Sequence, residues 1–96
     1  MAWSWVRIKT GTSPKLRDCM GNNTSAGRFV ECVESIVGDR GGTVDDVKFE
    51  PNGRWARVRF WWENPQDRLA ILLDLEAEEV HDLLSPEEME ALRRGG

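Results

Sequence analysis

The chain has 96 residues, of which 40% are hydrophobic, and carries a formal net charge of −4 at neutral pH. This size suits one domain with a small core, and we expect residues 1–96 to form a single domain. The net negative charge excludes a protein whose whole surface binds nucleic acid. The absence of a long apolar run near the N-terminus predicts a cytoplasmic protein without a signal peptide or a membrane span.

The first predicted element is a strand from Trp3 to Lys9, where aromatic, β-branched and basic residues alternate. A polar connection follows over residues 10–25, and its length predicts a functional or partly mobile loop. Cys19 and Cys32 do not form a Cys-x-x-Cys motif, and the single histidine cannot complete a zinc site with them. We therefore predict free thiols in a reducing cytosol, and neither a metal ion nor another cofactor.

A helix and a hairpin are predicted in the middle of the chain. The helix covers Ala26 to Val37, with Gly38 expected to end it in the left-handed conformation. Two strands follow, from Thr43 to Glu50 and from Arg54 to Trp62. The turn between them is Pro51-Asn52-Gly53, because asparagine and glycine tolerate the positive φ of tight hairpins. The apolar stripe of the helix consists of Phe29, Val33, Ile36 and Val37.

The C-terminal third is acidic, with a formal charge of −7 over residues 63–96 against +3 over residues 1–62. A helix is predicted to begin at Asn64 as N-cap, with Pro65 in its first position. A short strand over residues 79–84 follows, and the capping sequence that starts at Ser85 predicts a terminal helix and tail over residues 85–96. The apolar stripe predicted for the helix after Asn64 is Leu69, Leu72 and Leu73.

Strand, helix, hairpin, helix and strand follow one another in the order of the ferredoxin-like plait. We therefore predict an α+β fold of the β-α-β-β-α-β type with a short C-terminal helix. In this architecture two helices cover one face of the sheet and leave the other face open. The first and third strands are expected to be central neighbours.

The alternation of these two central strands separates apolar from basic side chains. Val6 and Ile8 share one side of the first strand, and Ala56, Val58, Phe60 and Trp62 share one side of the third. Arginine and lysine are rarely buried without partners, so the other sets are expected to face away from the helices. The predicted contact residues on this open face are Trp3, Trp5, Arg7, Trp55, Arg57, Arg59 and Trp61, with Lys9 beside them.

A contiguous aromatic patch usually marks a binding surface, and three kinds of partner suit this one. We expect a homodimer that binds a small molecule or a protein partner, because tryptophan and arginine are typical interface residues and the indoles could also line a small pocket. The segment 55–60 partly matches the third-strand signature of RNA-recognition motifs. Arg57, however, stands where a second stacking aromatic is expected, and the net charge disfavours nucleic acid.

The residues from Trp5 to Glu88 resemble the GYD-domain proteins, within the dimeric α/β-barrel superfamily of ferredoxin-like proteins. The matching positions are Gly41-Gly42 before the second strand, Gly53-Arg54-Trp55-Ala56 at the family's naming motif, and residues 80–88 at its closing strand and tail. Tryptophan and alanine stand here where that motif has tyrosine and aspartate. The resemblance implies a plait that dimerises through its sheets. Relatives in the superfamily include cofactor-free monooxygenases, isomerases and cyclases, as well as ligand-sensing modules.

Two groups of side chains are candidates for chemistry. His81 is the only imidazole, and imidazole exchanges protons near neutral pH, so it is the candidate general base of a cofactor-independent enzyme with Trp55 or Trp61 lining its cavity. Arg57 and Arg59 lie on the same side of a strand, about 7 Å apart. They would clamp an anion, or pair with acids such as Asp46 or Glu50, or pair with a partner subunit.

Overall fold

The computed structural model describes residues 2–83, which form four strands and three helices. The strands are β1 (Ala2–Lys9), β2 (Thr43–Phe49), β3 (Trp55–Trp62) and β4 (Glu79–Leu83), and the helices are α1 (Pro14–Met20), α2 (Ala26–Asp39) and α3 (Pro65–Leu75). One sheet of order β2-β3-β1-β4 contains all four strands, and every neighbouring pair in it is antiparallel. The predicted α+β class is confirmed, whereas the predicted terminal helix and tail from Ser85 lie outside the described residues.

The core lies between one face of the sheet and the helices. β1 contributes Val6 and Ile8, and the inward side of β3 contributes Ala56, Val58 and Phe60, all fully or almost fully buried. The predicted inward sets are therefore confirmed. The helices supply Leu16, Phe29, Val33, Val37, Ile71 and Leu75 to the same cluster. No helix described within residues 2–83 is long and apolar enough to cross a membrane.

Helix α1 replaces part of the polar loop that the sequence predicted over residues 10–25. Ser13 caps it: its Oγ accepts a hydrogen bond from the Leu16 amide and donates one of 2.6 Å to the Asp74 carbonyl oxygen. Pro14 occupies the first position, which suits a helix N-terminus. A helix of seven residues is unstable alone, so the burial of Leu16 and Met20 against the core decides its formation.

Cys19 and Cys32 form a disulfide, so the prediction of free thiols was wrong. Cys19 lies near the end of α1 and Cys32 lies in the middle of α2, with Cα atoms 5.8 Å apart, within the usual range for disulfides. The pairing depends on how α1 packs against α2. The spacing of the two cysteines in the sequence therefore contained no sign of it.

Two details of the longer helices also differ from the predictions. α2 ends at Asp39, and Gly41, rather than Gly38, has a left-handed backbone, with φ at 75°. In α3 the predicted stripe was wrong for Leu69 and Leu73, which are 56% and 68% exposed, and right for Leu72, which packs against the core. Several overlapping apolar stripes are possible in this leucine-rich helix, and packing selects the one with buried Ile71 and Leu75. The predicted cap at Asn64 is confirmed by its hydrogen bond from the Asp67 amide.

Candidate functional site

The helices described in residues 2–83 pack on the inward side chains of the sheet, and the opposite face carries indoles and guanidinium groups. We call it the indole–guanidinium face. Register partners on neighbouring strands point to the same side, so its side chains form cross-strand rows. The rows are Thr43–Trp61–Trp3, Asp46–Arg59–Trp5–His81, Lys48–Arg57–Arg7–Glu79 and Trp55–Lys9. All seven predicted contact residues and His81 therefore lie on this one face.

Cations lie over the indole rings of this face. The Arg7 guanidinium carbon is 3.8 Å from the centroid of the Trp55 ring, a close stacking contact. Lys9 over Trp55, Arg59 over Trp3 and Lys48 over Trp5 follow at 5.3, 4.8 and 5.8 Å. At one end of the face the rings of Trp3 and Trp61 meet edge to face, with centroids 5.2 Å apart. These contacts hold the indoles in defined orientations and leave them half-buried.

Glu50 neutralises the like charges at the centre of the face. Arg7 and Arg57 are direct register partners, which would repel each other without an acid nearby. Arg7 donates two hydrogen bonds of 2.8 and 2.9 Å to the Glu50 carboxylate, and Arg57 Nε lies 3.7 Å from the same group. The hydrogen bonds from Arg7 lower the pKa of the Glu50 carboxyl, and in return Glu50 raises the pKa of Arg7.

Arg59 pairs with Asp45, which is not one of the acids suggested from the sequence. Its Nε lies 3.3 Å from Asp45, whereas Asp46, one of the two predicted partners, lies 3.6 Å from Lys48. The register between β2 and β3 shifts between Val44 and Asp46, which places an extra residue beside Arg59. This irregularity could not be read from the alternation of β2. Of the two acids that the sequence suggested as partners for Arg57 and Arg59, Glu50 lies beside Arg57, at the distance given above.

A groove of about 370 Å³ lies in the middle of the indole–guanidinium face. His81 lies at its rim as the register partner of Trp5, and its Nε2 is 3.9 Å from Glu79 Oε2. Its imidazole makes no hydrogen bond to any residue within 2–83, and most of the ring is exposed. The groove is lined by Trp5, Val6, Arg7, Lys48, Arg57, Glu79 and His81. Lys48 and Glu79 were missed by the sequence analysis, which followed alternation only along β1 and β3.

A polar cluster on the inward side ties β4 to β1 and α3. Ser4 is buried; it receives a hydrogen bond of 2.8 Å from Trp62 Nε1 and donates one of 2.5 Å to Asp82. Arg68 donates two more, of 3.1 and 2.9 Å, to the same carboxylate. Loss of solvation acts most strongly and would raise the pKa of Asp82. The hydrogen bonds from Ser4 and Arg68 together outweigh it and lower that pKa.

We expect the free energy of unfolding to fall as the pH drops below about 4, the ordinary range of carboxyl groups. Both Glu50 and Asp82 have lowered pKa values in the folded protein. The contribution of these two carboxylates to the free energy of unfolding is therefore complete above their pKa values in the unfolded state. It is lost as the pH falls through their pKa values in the folded state. Asp82→Asn should flatten this dependence and cost less than about 1 kcal/mol at neutral pH, because the carboxylate is exposed.

Urea unfolding of both proteins over a series of pH values measures this effect. Glu34→Gln is the control, because Glu34 is an exposed acid on α2 whose side chain has no hydrogen bond or ion pair within residues 2–83. It should keep the wild-type pH dependence. An Asp82→Asn protein that loses as much stability in acid as the wild type would contradict the assignment.

A larger groove, of about 1130 Å³, lies between α1 and the β2–β3 turn. Phe29 and Phe49 form part of its wall, with ring centroids 5.4 Å apart, and Arg17 and Asp18 lie beside them. The connection over residues 10–25 supplies much of this wall. Within residues 2–83, no three side chains of histidine, cysteine, aspartate or glutamate are placed to hold a metal ion in this groove or elsewhere.

Comparison with known proteins gives no relative from which a role could be transferred. Neither a family model, nor a curated protein, nor a solved structure matches the chain.

Proposed function

We propose that this domain is a homodimeric binding module of the ferredoxin-like type, in which two copies meet through the indole–guanidinium face. One observation supports the proposal above all others. Four indoles and five cationic side chains share a single sheet face that has no helical cover within residues 2–83. The strand order β2-β3-β1-β4, with antiparallel neighbours throughout, supports the plait.

The dimensions of the face suit a modest interface. Eight residues in each central strand, at about 3.3 Å each, and four strands, at about 4.8 Å each, give roughly 500 Å² per copy. Two such faces together would cover roughly 1,000 Å², just below the roughly 1,200–2,000 Å² of stable specific complexes and in the range of weaker ones. Tryptophan and arginine are also the residues that contribute most to binding energy at protein interfaces.

The distribution of residues along the face suits a two-fold axis. Trp3 and Trp61 lie at one end of the central strands, and Trp55 lies at the other, with the guanidinium groups between them. A two-fold axis parallel to the sheet and perpendicular to the strands would place each aromatic end over the opposite end of the second copy. Such an isologous contact is the commonest way in which small proteins dimerise. It also accords with the proposed kinship to the dimeric α/β-barrel superfamily.

Two alternatives have less support in the geometry. An enzyme with His81 as general base would need the imidazole to be held toward its substrate, whereas no side chain in residues 2–83 orients the ring by a hydrogen bond. Single-stranded nucleic acid would need free indole faces for base stacking. The contacts of Arg7 with Trp55 and of Arg59 with Trp3 already occupy such faces.

The double variant Arg57→Glu, Arg59→Glu is expected to convert a dimer to a monomer. Charge reversal there places four additional negative charges between two facing copies that already carry Glu50 and Asp45. We expect the dimer dissociation constant to rise at least about 100-fold. Multi-angle light scattering over a range of protein concentrations, with circular dichroism to confirm folding, measures this.

A matched control is the double variant Arg17→Glu, Arg54→Glu, which makes the same change in net charge on two exposed arginines whose side chains have no hydrogen bond or ion pair within residues 2–83. It should remain dimeric. A wild-type protein that is monomeric at about 100 μM, or a face variant that dimerises as tightly as the control, would rule out assembly through this face.

A further inference from the structure

The groove at the centre of the indole–guanidinium face is surrounded by hydrogen-bond donors that have no acceptor within residues 2–83. Lys48, Arg57 and His81 have side chains that are 69%, 63% and 72% exposed, and none of them makes a hydrogen bond in this part of the chain. Their nearest acids lie 3.6 to 3.9 Å away, beyond hydrogen-bond distance. Arg7, in the same groove, by contrast donates two hydrogen bonds to Glu50 and stacks on the Trp55 ring.

Two of these donors are placed to act on one anion. Lys48 and Arg57 are register partners on β2 and β3, so their Cβ atoms lie about 5 Å apart and their side chains leave the sheet together. Lys48 Nζ already reaches to 5.8 Å from the ring centroid of Trp5. A carboxylate between the ammonium and guanidinium groups would therefore lie next to the indole. Such charge-assisted hydrogen bonds are stronger than neutral ones.

The remaining lining residues narrow the range of anions that the groove can bind. The half-buried Trp5 indole offers an aromatic surface for a planar ring, and His81 flanks that surface as its register partner. Glu79 lies on the opposite rim from Lys48 and would repel a second negative charge. A volume of about 370 Å³ is near the lower end for small-molecule sites. These features favour a small monoanion with a flat ring over an inorganic phosphate.

We propose that this groove binds an aromatic carboxylate, with its ring against Trp5 and its carboxylate between Lys48 and Arg57. The inference goes beyond the proposed function, although both use the same face. Two facing copies would turn the open groove into an enclosed one. Binding itself, however, needs only the residues of a single chain.

Calorimetric titration of the full chain with 2-naphthoate tests the proposal, with 2-naphthamide and inorganic phosphate as comparison ligands. We expect one naphthoate per chain with a dissociation constant below about 1 mM, and at least roughly tenfold weaker binding of the uncharged amide and of phosphate. Lys48→Gln and Arg57→Gln should each weaken naphthoate binding by about three- to tenfold. Arg17→Gln, an exposed cation on α1, should leave it unchanged.

Light scattering on the same samples separates this inference from the proposed function. A dimeric wild type that binds no naphthoate overturns the aromatic-carboxylate site and leaves the dimer standing. A monomer that binds naphthoate in a Lys48- and Arg57-dependent manner overturns the dimer and supports the site. Equal binding of naphthoate and naphthamide, or tighter binding of phosphate, overturns the site, as does an Arg17→Gln effect as large as that of Arg57→Gln.

Discussion

Gly42→Ala is expected to destabilise the domain by about 3 kcal/mol, the upper end of the usual cost of overpacking. A Cβ atom at this position would lie 2.7 Å from Val37 Cγ1, 2.8 Å from the Trp61 carbonyl oxygen and 3.2 Å from Ile71 Cδ1. The carbonyl belongs to the sheet and cannot move aside as a flexible side-chain end can. The Gly42 amide also donates a hydrogen bond of 3.0 Å to the Val37 carbonyl oxygen, which holds the backbone in place.

The matched control is Gly38→Ala in the last turn of α2, where an added Cβ would meet nothing within 4 Å. Alanine favours helix over glycine, so this variant should be more stable than the wild type by about 0.5–1 kcal/mol. Urea unfolding followed by tryptophan fluorescence gives both values. If Gly42→Ala unfolds at the wild-type urea concentration, the close packing of Val37, Trp61 and Ile71 around Gly42 is not as described.

The contact between Gly42 and the Trp61 carbonyl oxygen connects the core to the candidate site. The Trp61 backbone carbonyl lies next to Gly42, while its indole lies on the indole–guanidinium face. The α2–α3 packing therefore helps to fix the position of the Trp3–Trp61 pair. If Gly42→Ala folds, we expect it to shift the Trp3–Trp61 pair more than Trp55, which lies at the other end of the face.

Alternation made β1 and β3 predictable, because residues such as Val58 and Arg57 differ so strongly in the cost of burial. Local cap chemistry likewise identified the start of α3 at Asn64. The short helix α1 and the buried stripe of α3 depend on tertiary contacts instead. Leu72 and Leu73 are chemically identical, and only packing decides that the first is half-buried and the second exposed.

The candidate site was predictable in composition but not in its contacts. The sequence placed Trp5, Arg7 and Arg57 together and named Glu50 as a possible partner, but it did not show that Arg7 makes the hydrogen bonds to Glu50. His81 could not be assigned to a face until its pairing with Trp5 was known. Side-chain alternation is local information, whereas register between strands distant in the sequence depends on the whole sheet.

Removing the bridge between Cys19 and Cys32 is expected to lower the free energy of unfolding by about 3 kcal/mol, the value for a closed loop of this length. The two residues are 13 positions apart, so the bridge limits the freedom of the unfolded α1–α2 segment. It also holds α1, which has seven residues, against α2. Cys19→Ser is the suitable variant, because Cys19 is half-buried, whereas a hydroxyl at fully buried Cys32 would add a desolvation cost.

Urea unfolding of the wild type, with and without a phosphine reductant, should show a midpoint that falls on reduction to near that of Cys19→Ser. The variant is the control for the reductant, since its own midpoint should not move. Intact mass under native alkylation should find no reactive thiol in the oxidised wild type, and two would contradict the pairing.

Hydrogen exchange should then show that α1 loses protection on reduction before β1 or β3, because the bridge is a covalent link that holds this short helix against α2. A uniform loss of protection would mean that the bridge acts on the whole domain. A reducing cytosol would keep Cys19 and Cys32 as free thiols. The redox state of these two cysteines in cells therefore also tests the predicted cytoplasmic location.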